Sequence, residues 1–377
     1  MQAMNNSAIR DANRRLVAQT IFRNPNITQA QLLRQTQLSN HTLITIIREL
    51  EQADIIQRGQ PQESTGGRPP ISLMIRADSR YALGASVDHD DLNFCLTDFC
   101  GTIVDMRRYD ITPFRAEPAP REFFIEERCF TEFLPKCAAD ILRINEIPAE
   151  KVLGFALNVK GWIEDHYWHC GSGRYYVPNI CHACEEQLGF PFLISRNDVT
   201  VGLSESWFLN RKNMLSLMLD DGIGGIMITD GRINIGTHGR AGSFGHITLH
   251  PGGKPCVCGK AGCFGAYCSS FALLSETCPD LHTFFAAVEA GDIQAAARLE
   301  AYLDNLSIGI SNLAAMTDRP IVISGQMAGW LEPYLPKLKQ RFSDAFPVEV
   351  QLGTLRVNAS AIAAACHQLQ RFFTAEI

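Results

Sequence analysis

Between Gly245 and Cys268 the sequence GHITLHPGGKPCVCGKAGCFGAYC sets one histidine and three cysteines at the spacing His246-x9-Cys256-x-Cys258-x4-Cys263. Three thiolates and one imidazole complete a tetrahedral shell for Zn2+. Four protein ligands leave no open position, so the expected ion is structural rather than catalytic. Gly252, Gly253, Gly259 and Gly262 allow the sharp reversals that bring near neighbours onto one ion. The competing reading is a run of small buried cysteines in a tight loop, but the spacing is far more specific than a lone CxxC. Cys268 is a spare thiol able to replace one of the three.

A second thiol pair, Cys181-His182-Ala183-Cys184, has Cys170 and His169 nearby but no partner pair at zinc-ribbon spacing, so a second metal or redox centre is not expected. Thirteen cysteines in 377 residues, behind a polar N-terminus without an apolar signal core, read as free thiols plus one metal site in a cytoplasmic protein. No run of about 18 apolar residues is present, which argues against a membrane span.

Charge is divided along the chain. Residues 1–80 hold ten arginines, no lysine and six acids, a net +4, which leaves −10 of the overall −6 for the rest. A small basic head on an acidic body points to a head that meets a polyanion. The elements agree. Arg10 to Arg23 reads as a helix with Leu16, Val17, Thr20 and Ile21 on one face. Thr28 caps a short helix with Gln31 as capping-box partner. After a turn at Gln37-Leu38, Ser39 caps a longer helix whose inward stripe is Leu43, Ile46, Ile47 and Leu50. Ile55 to Arg58 and ISLMIRA form a hairpin around the tip Gly66-Gly67-Arg68-Pro69-Pro70. This is a winged helix-turn-helix, and its expected partner is a double-stranded DNA operator. The expected contact residues are Ser39, Asn40, His41, Thr42, Thr45 and Arg48 on the second helix, with Gly67 and Arg68 at the wing. Asn40 suits adenine and Ile44 a thymine methyl. Arg48 suits a phosphate, and Arg68 the minor groove. A helical protein-interaction module with a solvated polar face is the blander alternative.

From Tyr81 onward strands and helices alternate twice over. Tyr81 to Tyr109 reads as two alternating strands with turns near His89 to Asp91 and at Cys100-Gly101. A helix over 122–145, the strand VLGFALNV ending at Lys160-Gly161, and a Tyr/Trp/His-rich loop over 165–179 follow. The strand FPFLISRND then ends on Asn197-Asp198 and leads into a helix. LSLMLD opens on the glycine turn at Gly222, and a helix over 301–316 precedes the strand PIVISG. Two α/β lobes of related design facing a cleft are predicted. Trp162, Tyr167, Trp168, Tyr175 and Tyr176 either line a pocket or form a lobe interface.

With these features together, the chain resembles the ROK family of sugar repressors and sugar kinases, on its repressor branch. The resemblance rests on the winged helix with GGRPP, the strand ending Asn197-Asp198, the turn at Gly222, the run Gly239-Arg240-Ala241-Gly242 leading to Gly245-His246, and the cysteine cluster. It implies an actin-like, hexokinase-like ATPase fold for the body, a structural zinc, and a dimer or tetramer. It also implies sugar-hydroxyl binding at Asn197 and Asp198, with Asp198 at the position of the kinase base, and a ligand wall that includes Ser243 and His246. The chain departs from the family pattern at three places. Ser86-Val87-Asp88-His89-Asp90 stands where kinases carry a glycine-rich phosphate turn, and its carboxylates are expected to repel phosphate. Ser243 and Gly265 stand where the family has sugar-gripping glutamates. No catalytic residue is therefore assigned.

The expected fold is α/β: a winged helix-turn-helix over 1–80, a first lobe over 81–198 completed by a C-terminal helix within 355–377, and a second lobe over 199–354 with the zinc site. The expected function is transcriptional repression of carbohydrate-metabolism genes, with a small carbohydrate-type effector and self-association as partners. A sugar kinase with a DNA-binding head, or a repressor controlled by a protein partner, are the alternatives.

Overall fold

The computed structural model describes residues 6–61, 70–88, 90–115, 125–170 and 173–377. The wing residues Gly67 and Arg68, and His89, lie outside them.

The head comprises α1 (Asn6–Arg23), β1 (Ile27–Thr28), α2 (Gln29–Thr36), α3 (Asn40–Gln52), β2 (Ile56–Pro61) and β3 (Ile71–Ile75). Its helix boundaries follow local chemistry. The Thr28 side chain accepts from Gln31 N at 3.3 Å, and Gln31 Oε1 accepts from Thr28 N at 2.8 Å, so two orphan donors of α2 are satisfied reciprocally. Gln37 ends α2 in the left-handed region, and Ser39 Oγ accepts from Thr42 N at 3.1 Å to start α3. Leu43, Ile46, Ile47 and Leu50 are buried. Three strands in the order β1-β3-β2 form the base of the wing. One expected position is corrected. Leu16 is 41% exposed, because the inner face of α1 runs through Val17, Ala18 and Ile21, and Leu16 falls about 100° round from Val17.

The first lobe opens with β4 (Tyr81–Val87), β5 (Asp91–Asp98) and β6 (Ile103–Asp110). The sequence suggested two strands here. The turn at Cys100-Gly101 closes a second hairpin, its donors Cys100 N and Thr102 N both bound by Asp98 Oδ1. A π-helical turn at Cys129–Phe133 leads into α4 (Leu134–Ile144), shorter than the helix expected over 122–145. Next come β7 (Val152–Val159), β8 (Trp162–Glu164), β9 (Tyr167–Cys170), β10 (Gly173–Tyr176), α5 (Val177–Leu188), β11 (Phe192–Arg196) and α6 (Asn197–Phe208). The aromatic stretch is thus a small three-stranded sheet rather than a loop. Trp168 and Tyr175 stack at 4.5 Å and are buried in the lobe's core, while Tyr176 is exposed.

The second lobe contains β12 (Met214–Leu219), β13 (Ile223–Thr229), β14 (Arg232–Ile233), α7 (Gly265–Cys268), α8 (Leu281–Glu289), α9 (Ile293–Thr317), β15 (Ile321–Ser324), α10 (Gln326–Leu331), α11 (Leu335–Lys339) and β16 (Val350–Leu352). The chain ends with α12 (Ala359–Arg371). The helix α9 begins eight residues earlier than its apolar pattern suggested, where Asp292 caps it through Ala295 N at 2.8 Å.

The two main sheets share one plan. In β11-β7-β4-β5-β6 and in β16-β15-β12-β13-β14, the central strand pairs antiparallel with its successor on one side and parallel on the other with a later strand, which in turn pairs parallel with the next. Helices α12 and α6 pack against each other between the sheets, α12 on β4 and β7, α6 on β12 and β13. The close approach depends on Gly84, where a Cβ would lie 2.3 Å from Ala365 N, and on the alanines of α12. This puts Asn197 and Asp198, at the start of α6, on the floor between the lobes.

Candidate functional site

Three sites emerge: the outer face of α3, the cleft around the start of α6, and the cysteine loop.

On α3, Ser39, Asn40, His41, Thr45 and Arg48 are exposed and Thr42 is half-buried. Their roles divide. The hydroxyls of Ser39 and Thr42 lie 2.8 Å apart and belong to the helix cap. Asn40 Oδ1 accepts from Gln29 Nε2 of α2 at 3.1 Å, which fixes its amide plane and leaves the NH2 group facing outward. Arg10 of α1 pairs with Glu49 of α3, which ties the outer helix to α1.

The head is docked on the body through a continuous apolar cluster. Val17, Ile21 and Phe22 of α1 meet Phe99, Trp207 near the end of α6, Leu369 of α12 and Phe373 beyond it. Phe22 lies 5.8 Å from the Trp207 ring and 4.8 Å from Phe373, and the Arg23 guanidinium sits 4.7 Å over Trp207. One helix, α6, therefore carries Asn197 and Asp198 at one end and the head's docking residue at the other. Its interior is anchored by Glu205, fully buried, whose carboxylate accepts from Thr354 N, Leu355 N, Thr354 Oγ1 and Ser324 Oγ at 2.7–3.2 Å. Sequence reasoning missed this joint, since only the aromatic character of Trp207 and Phe373 signalled it.

In the cleft, Asp198 is not the cap of α6; that position is Arg196. Asp198 lies in the first turn, 5% exposed, with its carboxylate turned to Arg196 and to Gly225 N at 3.1 Å. Arg196 Nε donates to Oδ1 at 3.0 Å and Nη2 to Oδ2, while Nη1 donates to Gly239 O. Burial pushes the Asp198 carboxyl up, against the pull of Arg196 and of the Gly225 and Val199 N–H groups. Asn197 Oδ1 accepts from Asp198 N at 2.9 Å. Gly242, at φ +89°, lets the loop after β14 close on this group, where a Cβ would lie 1.8 Å from Gly225 O. Ser243 Oγ donates to Arg240 O at 2.8 Å, and Arg240 and His238 both bind Glu164 of β8. Arg196 sits directly before the Asn197-Asp198 pair, and the only signal for its role was that adjacency.

Asp88 and Asp90, the expected repellents of phosphate, are both paired. Asp90 meets Arg115 at 2.7 Å. Lys160 Nζ, at the end of β7, bridges Asp88 at 3.1 Å and Asp221 of the β12–β13 turn at 3.0 Å. Burial draws the Lys160 ammonium down, but the two carboxylates outweigh it and hold it above its ordinary value. The turn is thus filled by an internal cation rather than left as an open negative patch. The neighbouring Asp220 is pushed up to about 7 by burial, partly offset by the Gln326 N–H at 2.7 Å and by Lys160. The glycine turn at Gly222 is the β12–β13 hairpin, with Asp220 N bonded to Gly222 O.

The cysteine loop gathers His246, Cys256, Cys258 and Cys263, whose ligand atoms all lie within 4.8 Å of one another. A tetrahedron with metal–sulfur bonds of about 2.3 Å has edges of about 3.7 Å, slightly less to nitrogen. The observed separations are 3.7 Å for Cys258 Sγ to Cys263 Sγ and 3.5 Å for Cys256 Sγ to His246 Nδ1. The donor set fits a metal ion. The Lys260 N–H lowers the Cys258 thiol, and burial lowers His246, which favours the thiolate and neutral imidazole that a metal needs. Cys268 is not a substitute ligand. It is buried against α9, its thiol directed to Tyr302 O at 3.8 Å. Cys184 likewise points to Phe130 O, and among the described residues only the one cluster has metal-binding geometry. The start of the cysteine-loop segment packs on β13: a Cβ on Gly245 would lie 2.6 Å from Ile223 O, and one on Gly225 3.0 Å from the Phe244 ring. No helix of the described residues is long and apolar enough to cross a membrane.

Known proteins share these features. The sequence pattern of the ROK family matches residues 149–365, and that of winged helix-turn-helix DNA-binding domains matches residues 10–57. The xylose repressor of Bacillus subtilis (strain 168) is 26% identical over 296 residues, 73% of this chain and 70% of its own. A solved ROK family transcriptional regulator, a homologue of the Escherichia coli MLC protein, superposes with a TM-score of 0.74 over 97% of both chains at 19% identity. The ROK family glucokinase of Streptomyces griseus, solved with glucose and AMPPNP, superposes with a TM-score of 0.61 over 77% of this chain and 99% of its own at 17% identity.

Proposed function

The chain belongs to the ROK family, and from that premise we propose that it is a DNA-binding transcription regulator, a repressor of carbohydrate-metabolism genes. Its body is a sensor for a small carbohydrate-type ligand, bound between the lobes beside Asn197 and the Arg196–Asp198 pair. The observation that carries this reading is α6, which runs from that cleft to the Trp207–Phe22 contact with the head. A ligand that changes the closure of the lobes displaces α6 against α12, and so moves α1 and the paired recognition helices. The change is a population shift between DNA-competent and incompetent forms. Two heads must address half-sites about 34–36 Å apart, so self-association is part of the mechanism.

The body acts as a sensor rather than a kinase. A phosphate cradle needs exposed backbone N–H groups and an available metal-binding acid. Here Asp88 and Asp221 are both engaged by Lys160. The metal in the cysteine loop is zinc, held by His246, Cys256, Cys258 and Cys263. A closed shell of this kind supplies no catalysis and fixes the loop that walls the cleft.

On α3, Asn40, His41, Thr45 and Arg48 face the DNA, while Ser39 and Thr42 hold the start of the helix; Gly67 and Arg68 are assigned to the wing. Fluorescence anisotropy with duplex fragments upstream of the chain's own gene tests this. Asn40→Ala is expected to weaken binding to the preferred site at least ten-fold while leaving non-specific binding unchanged. Equal loss on all sequences would contradict a base-reading role.

A further inference from the structure

We propose that Arg196 sets which ligand the cleft accepts. By occupying Asp198, it converts the subsite from one that accepts hydrogen bonds into one that donates them, so the effector is a carboxylated polyol, a sugar acid, rather than a neutral sugar. This deepens the sensor reading and rests on it.

The argument is an inventory of donors and acceptors. A carboxylate offers about four acceptor positions. At Asp198 three of these are met from within the protein, by Arg196 Nε and Nη2 and by the Gly225 N–H. The two side chains are each 8% exposed, so the ion pair is formed out of bulk water. A sugar hydroxyl that donated to Asp198 would have to break a buried ion pair and leave a guanidinium unmatched, at a cost that a neutral hydrogen bond does not repay. Two other acceptors of the wall are also committed. Asn197 Oδ1 holds Asp198 N, and Glu164 holds His238 and Arg240. No acid stands at Ser243 or Gly265.

Donors are what remain. Three of the five guanidinium N–H groups of Arg196 are used, on Asp198 and Gly239 O, and its two terminal nitrogens each keep one. Asn197 keeps its NH2 group. A planar fork with one N–H on each terminal nitrogen matches a carboxylate edge, and such charge-assisted bonds are roughly twice as strong as neutral ones. The arginine then bridges two carboxylates, one from the protein and one from the ligand. The polyol part of the ligand faces the loop that the cysteine cluster holds.

Calorimetry on the full-length, metal-loaded protein with matched pairs tests this: D-glucuronate against D-glucose, and D-gluconate against D-sorbitol, at fixed ionic strength. The expected result is at least ten-fold tighter binding of the acid in each pair, a preference that falls below two-fold in Arg196→Gln. Equal or tighter binding of the neutral sugar, or an acid preference that survives in Arg196→Gln, overturns the proposal. The matched-pair comparison needs only the native protein, so a variant that fails to fold leaves the proposal open to refutation. DNA binding measured alongside separates the two readings. A neutral sugar that binds and loosens DNA leaves the sensor function standing and removes the role of Arg196. No binding by any of the four, with DNA affinity unchanged, removes both.

Discussion

Replacing Trp207 by leucine should loosen the head from the body without unfolding either. Trp207 is 7% exposed at the end of α6, with ring pairs to Phe22 at 5.8 Å and Phe373 at 6.4 Å. Each pair is worth about 0.5–1.5 kcal/mol beyond burial. The Arg23 guanidinium 4.7 Å from the ring centroid adds about 0.5–1 kcal/mol. Of these, the Phe22 pair and Arg23 join head to body, about 1–2.5 kcal/mol of docking, to which the smaller leucine adds an incompletely filled space. Local opening controls amide exchange when closing is fast, and each 1.4 kcal/mol is about a factor of ten. Exchange from the inner amides of α1, around Val17 and Ile21, should therefore quicken by about five-fold to sixty-fold. Exchange from β4 and β12 should stay at the native rate. The DNA affinity of the head should survive, while any effector response is weakened. Native exchange rates along α1 in a folded Trp207→Leu protein would refute the claim that this contact joins head to cleft.

Three further outcomes follow from local geometry. Asp220, at about 7, is raised above the roughly 3.9 of an unfolded aspartate, so between those values the folded state holds the extra proton. Stability should then fall as pH rises from about 4 to about 7, by up to about 1.4 kcal/mol per pH unit, in urea titrations. Asp220→Asn, which keeps an acceptor for the Gln326 N–H, should flatten that slope; an unchanged profile would contradict the assignment. Cys258→Ser, or a strong chelator, should remove the metal by elemental analysis and lower Tm by several degrees as the loop over 250–262 loses its anchor. A metal-free protein with native Tm would count against the structural role. Thr28→Ala removes half of a reciprocal cap and should cost about 0.5–2 kcal/mol in chemical denaturation, with Thr28→Ser restoring most of it.

What could be read from the sequence was local. The caps at Thr28 and Ser39, the stripe of α3 and the four metal ligands, His246 to Cys263, each depend on residues within one short segment, so spacing alone carries the information. The plan of two related lobes was visible because strand and helix periods differ. The missed features join distant segments. Arg196 reaches Gly239 O, Lys160 reaches Asp221, and Trp207 reaches Phe22, and each contact exists only once the two sheets have packed about α6 and α12. Those contacts changed the reading of the cleft. Asp198, expected to meet a sugar, is paired with the residue two positions earlier. The carboxylates at Asp88 and Asp90 seemed set to repel phosphate, and instead each has a cation. Leu16 shows the finer limit, since one position on a helix separates the inner face from solvent.

The central claim is that the head reads a specific DNA sequence as part of a symmetric assembly. Selection from a randomised duplex library, with the full-length protein at physiological salt, tests it most directly. The account predicts enrichment of one sequence with two related half-sites about one helical turn apart, or a multiple of it, and loss of that enrichment in Asn40→Ala. Recovery of no preferred sequence, or of the same sequence with Asn40→Ala, would contradict it.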